Sequence, residues 1–158
     1  MKMKDTKIPL KIIATNILDG TIKVFNSNDD IKIKDAVLAS MAIPGIFEEK
    51  EINEVTYSDG FLCENLGINQ AIYENILAVD VLGKNSFEKQ MPDNFFKTTN
   101  ILEMFEKSIR ILIYNQTKNI LKHSKKDIYL IEPDTKKYKT FHFHKYKELR
   151  ALGLGLLK

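Results

Sequence analysis

Cysteine and arginine are almost missing from this 158-residue chain: Cys63 stands alone, and Arg110 and Arg150 are the only arginines. One cysteine excludes an intrachain disulfide and suits a reducing compartment. Two arginines among many lysines leave no arginine-built surface for reading phosphate. The net charge of +3 is too small and too dispersed to point to nucleic acid. No apolar run approaches the length of a membrane span. The opening residues, Met1-Lys2-Met3-Lys4-Asp5, lack the apolar stretch of a signal peptide. The expected location is the cytoplasm, with peripheral contact to anionic membranes through the lysine surface.

Serine chemistry also lacks its usual frame. None of the six serines (Ser27, Ser40, Ser58, Ser86, Ser108, Ser124) lies in G-x-S-x-G. A reactive serine needs a strained strand-to-helix elbow to expose its oxygen. No glycine-rich loop is present to supply an oxyanion hole. What the chain does have is 44% hydrophobic residues, enough for a folded domain with a sizeable core.

Its organising stretch runs over residues 34–66. Asp35 can cap a short helix at 36–42, in which Ala36, Ala39, Ser40 and Ala42 allow close approach to a neighbour. Ile43-Pro44-Gly45 ends the helix, because Pro44 biases Ile43 away from helical dihedrals and Gly45 can take a positive φ. Ile46 and Phe47 return to the core. Val55-Thr56-Tyr57-Ser58 has strand composition and delivers Asp59-Gly60 at its end. By itself Asp59-Gly60 is a hairpin-turn signal.

Other elements flank this stretch. Residues 9–17 predict a buried strand, and 21–25 a strand returning after the Asp19-Gly20 turn. Residues 68–75 predict a short helix with Ala71, Ile72 and Ile76 inward. The run 76–82 suits a strand buried on both faces of a parallel sheet, with Asp80 a candidate buried carboxylate, or more simply a strand-end residue at solvent or on a backbone donor. Residues 83–98 predict a polar loop. A long helix opens at Asn100, with Glu103 at capping-box spacing. Its expected core stripe is Ile101, Phe105, Ile109, Leu112 and Ile120. A strand at 127–131, an edge strand at 138–143 and a closing helix at 146–157 complete an α/β layer pattern.

Ala39-Ser40-Met41-Ala42-Ile43-Pro44-Gly45-Ile46-Phe47, then Tyr57-Ser58-Asp59-Gly60, then Asn65, resembles the patatin-like phospholipase family. Ile13-Ala14-Thr15-Asn16-Ile17-Leu18-Asp19-Gly20 is similar to a further segment of that family. Phe61 stands where the family usually has a second small residue. Leu66-Gly67 follows Asn65 where Pro is common, and Asn16 replaces a usual Asp. The resemblance implies a mainly parallel α/β sheet with flanking helices, incomplete at the N-terminus. It implies that residues 1–82 are the C-terminal portion of the catalytic domain and that 83–158 are an extension packing on it.

The implied activity is hydrolysis of phospholipid or related acyl esters by a Ser-Asp dyad. Asp59 is the implied general base, with Pro44, Gly45, Gly60 and Asn65 structural near it. The nucleophile and oxyanion loop of the family lie N-terminal to the segment that residues 11–19 resemble. The chain alone is therefore expected to be inactive, with the missing half supplied as a separate chain. No metal or organic cofactor is implied.

Two other readings stand beside this one. The first is a non-catalytic lipid-binding or interaction fragment. The second is half of an ordinary α/β-hydrolase, in which His142 or His144 completes a Ser-Asp-His triad. His142-x-His144 would also set two imidazoles on one strand face, but no further ligand at a recognisable spacing makes a metal site. Gly153-x-Gly155 follows no strand and lacks a third glycine, which leaves a dinucleotide loop unsupported.

Overall fold

The computed structural model describes residues 1–86, 98–138 and 142–156. These form two compact units, Met1–Gln70 and Ala71–Lys158.

In the first unit, β1 (Ile12–Asn16) and β2 (Ile22–Phe25) form a hairpin with Ile12 opposite Phe25 and Thr15 opposite Ile22. After α1 (Ile33–Ser40), β3 (Lys50–Ile52) and β4 (Val55–Asp59) form a second hairpin. β4 also pairs antiparallel with β1, placing Ala14 opposite Asp59, so the sheet order is β2-β1-β4-β3. The expectation of a mainly parallel sheet therefore needs correcting: this four-stranded sheet is antiparallel throughout. For the two hairpins the cause is connection length, since residues 17–21 and 53–54 are too few for the crossover that parallel neighbours need.

The core of this unit gathers Met3, Ala14, Phe25, Ala36, Ala39 and Tyr57, with Leu10, Ile12, Ile31, Ile33, Ile52 and Val55 packed around it. Phe25 and Tyr57 meet edge to face, their ring centroids 5.2 Å apart. Ala36 and Ala39 are fully buried, as the small-residue pattern of this helix implied.

The helix begins at Ile33, earlier than the Asp35 cap implied. The amide of Ile33 donates to the Met1 carbonyl, so backbone supplies what a capping side chain would have supplied. Asp35 instead sits in the first turn, where its charge suits the helix dipole, and pairs with Lys50 at 3.2 Å. Met3, part of a charged opening, is wholly buried because its amide bonds the Ile31 carbonyl and draws it under the sheet.

The second unit is built on one parallel pair. β5 (Asn75–Val79) runs beside β6 (Asp127–Ile131), with Leu77 opposite Tyr129 and Val79 opposite Ile131. The connection between them contains α2 (Thr98–His123). Burial on both faces of β5 does not hold: Ala78 is buried, but Leu77 is 59% exposed and Val79 50%. Among the described residues this sheet has two strands, and its second face is left open. Asp80 is buried, not at solvent, and its carboxylate accepts the Leu82 amide at 3.0 Å.

The expected stripe of α2 is also displaced. Ile101, Phe105 and Leu112 are exposed and Ile109 and Ile120 half-buried, and among the described side chains of the helix the buried positions are Ile113 and Thr117. Apolar residues run through 109, 111, 112 and 113, covering more than half a turn, so periodicity alone did not fix the inward face. The helix starts at Thr98, which puts Asn100 inside the first turn, not at the cap.

The expected helix at 68–75 is a single 3-10 turn, Ile68–Gln70, and Ile72 beyond it is exposed. Arg110 fastens this unit: its guanidinium donates to the carbonyls of Ser86 and Tyr138 at 2.6 and 3.2 Å, and to Glu106 at 2.8 Å. α3 (Tyr146–Leu154) closes the described chain. The expected edge strand at 138–143 falls partly outside the described residues, and Phe143–Lys145 is a 3-10 turn.

The β3–β4 turn uses two residues in the left-handed region, Asn53 at φ 52° and Glu54 at φ 65°. This is the pairing a tight hairpin demands, and Glu54 occupies the place that favours glycine. Glu54→Gly is expected to raise stability by about 0.5–1 kcal/mol, the left-handed cost of a side chain less the flexibility of glycine. An unchanged midpoint in urea unfolding would show that Glu54 makes compensating contacts.

Candidate active site around Asp59

Asp59 ends β4 and is held by its backbone on both sides. Its amide donates to the Ala42 carbonyl at 2.9 Å, and its own carbonyl accepts the Thr15 hydroxyl at 2.9 Å. Ser58 is fully buried and donates its Oγ to the same Ala42 carbonyl at 2.7 Å. Ala42 follows α1, so two donors from the Asp59 strand grip the helix exit. That is a physical reason for alanines and Ile-Pro-Gly to accompany the Asp-Gly pair.

Pro44 and Gly45 shape that exit. The amides of Ile46 and Phe47 both donate to the Ile43 carbonyl at 3.0 Å, and Gly45 has φ 76°. A hydrogen-bonded turn with Pro second and a positive-φ glycine third is a type II turn. Gly60 is needed for a different reason. A Cβ on it would lie 2.4 Å from the Ile13 carbonyl oxygen, so β1 leaves no room for a side chain. Asn65, half-buried, lies five residues beyond Gly60.

The carboxylate itself is partly buried. Its Oδ1 accepts the Phe61 amide at 3.0 Å, making Asp59 the cap of the 3-10 turn Gly60–Leu62. Burial pushes the carboxyl above its ordinary value, and the amides of Phe61 and Gly60 pull the other way. Desolvation prevails, which makes Asp59 a better proton acceptor than an exposed aspartate. Exposed Asp30 is the contrast: hydrogen bonds from Lys2 and Lys4 hold it down to about 2.

The structure thus brings Asp59, Gly60, Ala42 and the Pro44-Gly45 turn into one arrangement. Thr15, Ser58 and Ile13 belong to it too and were not singled out from the sequence. A strand-end hydroxyl and a buried serine carry no motif of their own. His142 and His144 lie in the second unit, on and beside the 3-10 turn, with ring centroids 5.6 Å apart. Among the described residues, no group of three or more His, Cys, Asp or Glu is placed to hold a metal ion. No described helix is long and apolar enough to cross a membrane.

Asp59 is thus a half-buried aspartate with raised basicity, fixed at the end of a strand against a small-residue helix exit. Residues 1–72 match the family model for patatin-like phospholipase, and the matched span contains the whole Asp59 arrangement. No curated protein matches the chain.

Two outcomes follow from this geometry. In Gly60→Ala the new Cβ meets a backbone carbonyl that cannot rotate away, and we expect a loss of about 1–3 kcal/mol in denaturant unfolding. For Asp59 the sign is set by its raised folded-state value. As pH rises past the ordinary carboxylate range, the unfolded chain releases its proton first, so the folded chain binds more protons and loses stability. Asp59→Asn removes this term. Its stability relative to the parent is expected to increase from about pH 4 upward and to level off once the raised Asp59 value is passed. A difference that stays flat with pH would mean that Asp59 titrates alike in both states.

Proposed function

We propose that this chain supplies the general base of a patatin-like lipid acyl hydrolase, with Asp59 as that base. The observation that carries the proposal is the fixed, desolvated carboxylate of Asp59 within the span that matches the family. The substrate is a carboxylic ester of a phospholipid or related acyl lipid, met at a membrane surface by a protein of the cytoplasm. The nucleophilic serine and the oxyanion donors come from a segment outside these 158 residues, joined to them or carried by a second chain.

In this scheme the serine hydroxyl gives its proton to the Asp59 carboxylate as its oxygen adds to the acyl carbonyl. The tetrahedral intermediate collapses, and protonated Asp59 returns the proton to the departing alcohol. Asp59 then takes a proton from water as the water attacks the acyl-serine. The fatty acid leaves, and the proton returns to the serine. No metal or organic cofactor enters any step.

Complementation tests the reading. The purified chain alone should turn over short acyl esters negligibly. Fused or co-expressed with a segment carrying the glycine loop and G-x-S-x-G, it should hydrolyse lipid. Asp59→Asn in that assembly should then lower kcat by about 10²–10⁴-fold. His142→Ala and His144→Ala should change little, whereas a triad would make one of them as damaging as Asp59→Asn. Near-normal activity of Asp59→Asn would remove its assigned role, and a complemented assembly with no hydrolysis would favour a non-catalytic lipid-binding fragment.

A further inference from the structure

Beyond Asp59 the chain does not simply leave the site. The amides of Cys63 and Glu64 both donate to the Gly60 carbonyl, at 3.0 and 2.9 Å. Glu64 is only 5% exposed, and its carboxylate is met by neutral amide donors. Its carboxylate is engaged at both oxygens: Oε1 accepts the Asn69 amide at 2.7 Å, and Oε2 accepts the Gln70 side-chain amide at 3.3 Å. Lys11 then ties the Gln70 carbonyl back beside β1 with a 2.6 Å bond.

The loop that Glu64 closes is pressed against the same residue as the Asp59 turn. A Cβ on Gly67 would lie 2.8 Å from the Ile13 side chain, and one on Gly60 would strike the Ile13 carbonyl. Ile13 is therefore backed by both glycines, and Glu64 links them: its amide grips Gly60 and its carboxylate grips the chain just past Gly67.

We propose that Glu64 is the positioning residue of the site, a buried clamp that holds the Asp59-Gly60 turn closed against β1. The role rests on the reading of Asp59 as the base, but the clamp is a property of the folded chain and is testable without turnover. Glu64 touches no reacting atom. Without its carboxylate the Asn69 and Gln70 donors lose a charged acceptor, residues 64–70 lift from Ile13, and the turn that caps Asp59 loosens and hydrates.

The test follows the Asp59 side-chain carboxyl by NMR against pH in the 158-residue chain, with Asp59→Asn identifying the signal, and measures hydrogen exchange at Phe61 and Cys63. In Glu64→Ala we expect the Asp59 midpoint to fall toward the ordinary aspartate range. Exchange at both amides should quicken by about ten- to a hundredfold, while Lys23, opposite Ala14 in the β1–β2 hairpin, keeps its parental rate. Glu64→Asp keeps the charge but draws the carboxylate back by one methylene. It should move both readouts in the same direction by less, and it decides the matter if the alanine variant does not fold.

A parental Asp59 midpoint and parental exchange in the folded variant would overturn the clamp. Uniformly faster exchange, Lys23 included, would overturn it too, since that marks general destabilisation. Failure of Asp59 as a base would appear separately, as retained hydrolysis by Asp59→Asn in the complemented enzyme.

Discussion

The carbonyl of Ala42 is the point on which the first unit depends. It accepts both the Asp59 amide and the Ser58 hydroxyl, so one oxygen ties the last residues of β4 to the exit of α1. Each net hydrogen bond contributes only about 1 kcal/mol, but a buried donor left without its acceptor costs more. The bonds also set geometry. With the helix exit fixed on one side and Thr15 holding the Asp59 carbonyl on the other, the carboxylate can only emerge at the start of the following turn. The small side chains of Ala36, Ala39 and Ala42 are what let the helix come close enough for this.

The same closeness sets the electrostatics. A carboxylate at an exposed strand end would keep its ordinary acidity and be a weak base at neutral pH. Asp59 is buried enough to be pushed up, but it retains one firm backbone donor, so it keeps a defined orientation while its ionised form is disfavoured. That arrangement works against folding at neutral pH, because the folded chain holds the ionised form in a less hydrated place than the unfolded chain does. The Phe25–Tyr57 contact and the buried alanines of β1 and α1 offset it within the same unit.

Much of this site was legible in the sequence, because turn chemistry is local. Pro44-Gly45 and Asp59-Gly60 announce their turns by φ restriction and by the absence of a side chain, and both turns lie where these pairs occur. The alternation at 21–25 and 55–58 gave the strands to within a residue or so. Residues that act through distant partners were not legible. Thr15 meets Asp59 across 44 positions, and Met3 is buried through a bond to Ile31, neither of which leaves a local pattern. Glu64 looks like any surface glutamate until residues 69 and 70 fold back on it.

Strand direction and the inward face of α2 were hidden for a related reason: both are set by what an element packs against, not by its own residues. In the second unit this has left a sheet with two unlike faces. Ala78 and Asp80 are buried, while Leu77, Val79 and, on the neighbouring strand, Tyr129 remain open to solvent at 59%, 50% and 69%. Continuous apolar strands of this kind belong to parallel sheets covered on both sides. The composition of β5 is thus that of an interior strand, although only one of its faces is buried. Beyond the strand ends the chain is held by polar bonds: the Thr135 hydroxyl donates to the Val81 carbonyl and the Asn85 amide to the Glu132 carbonyl.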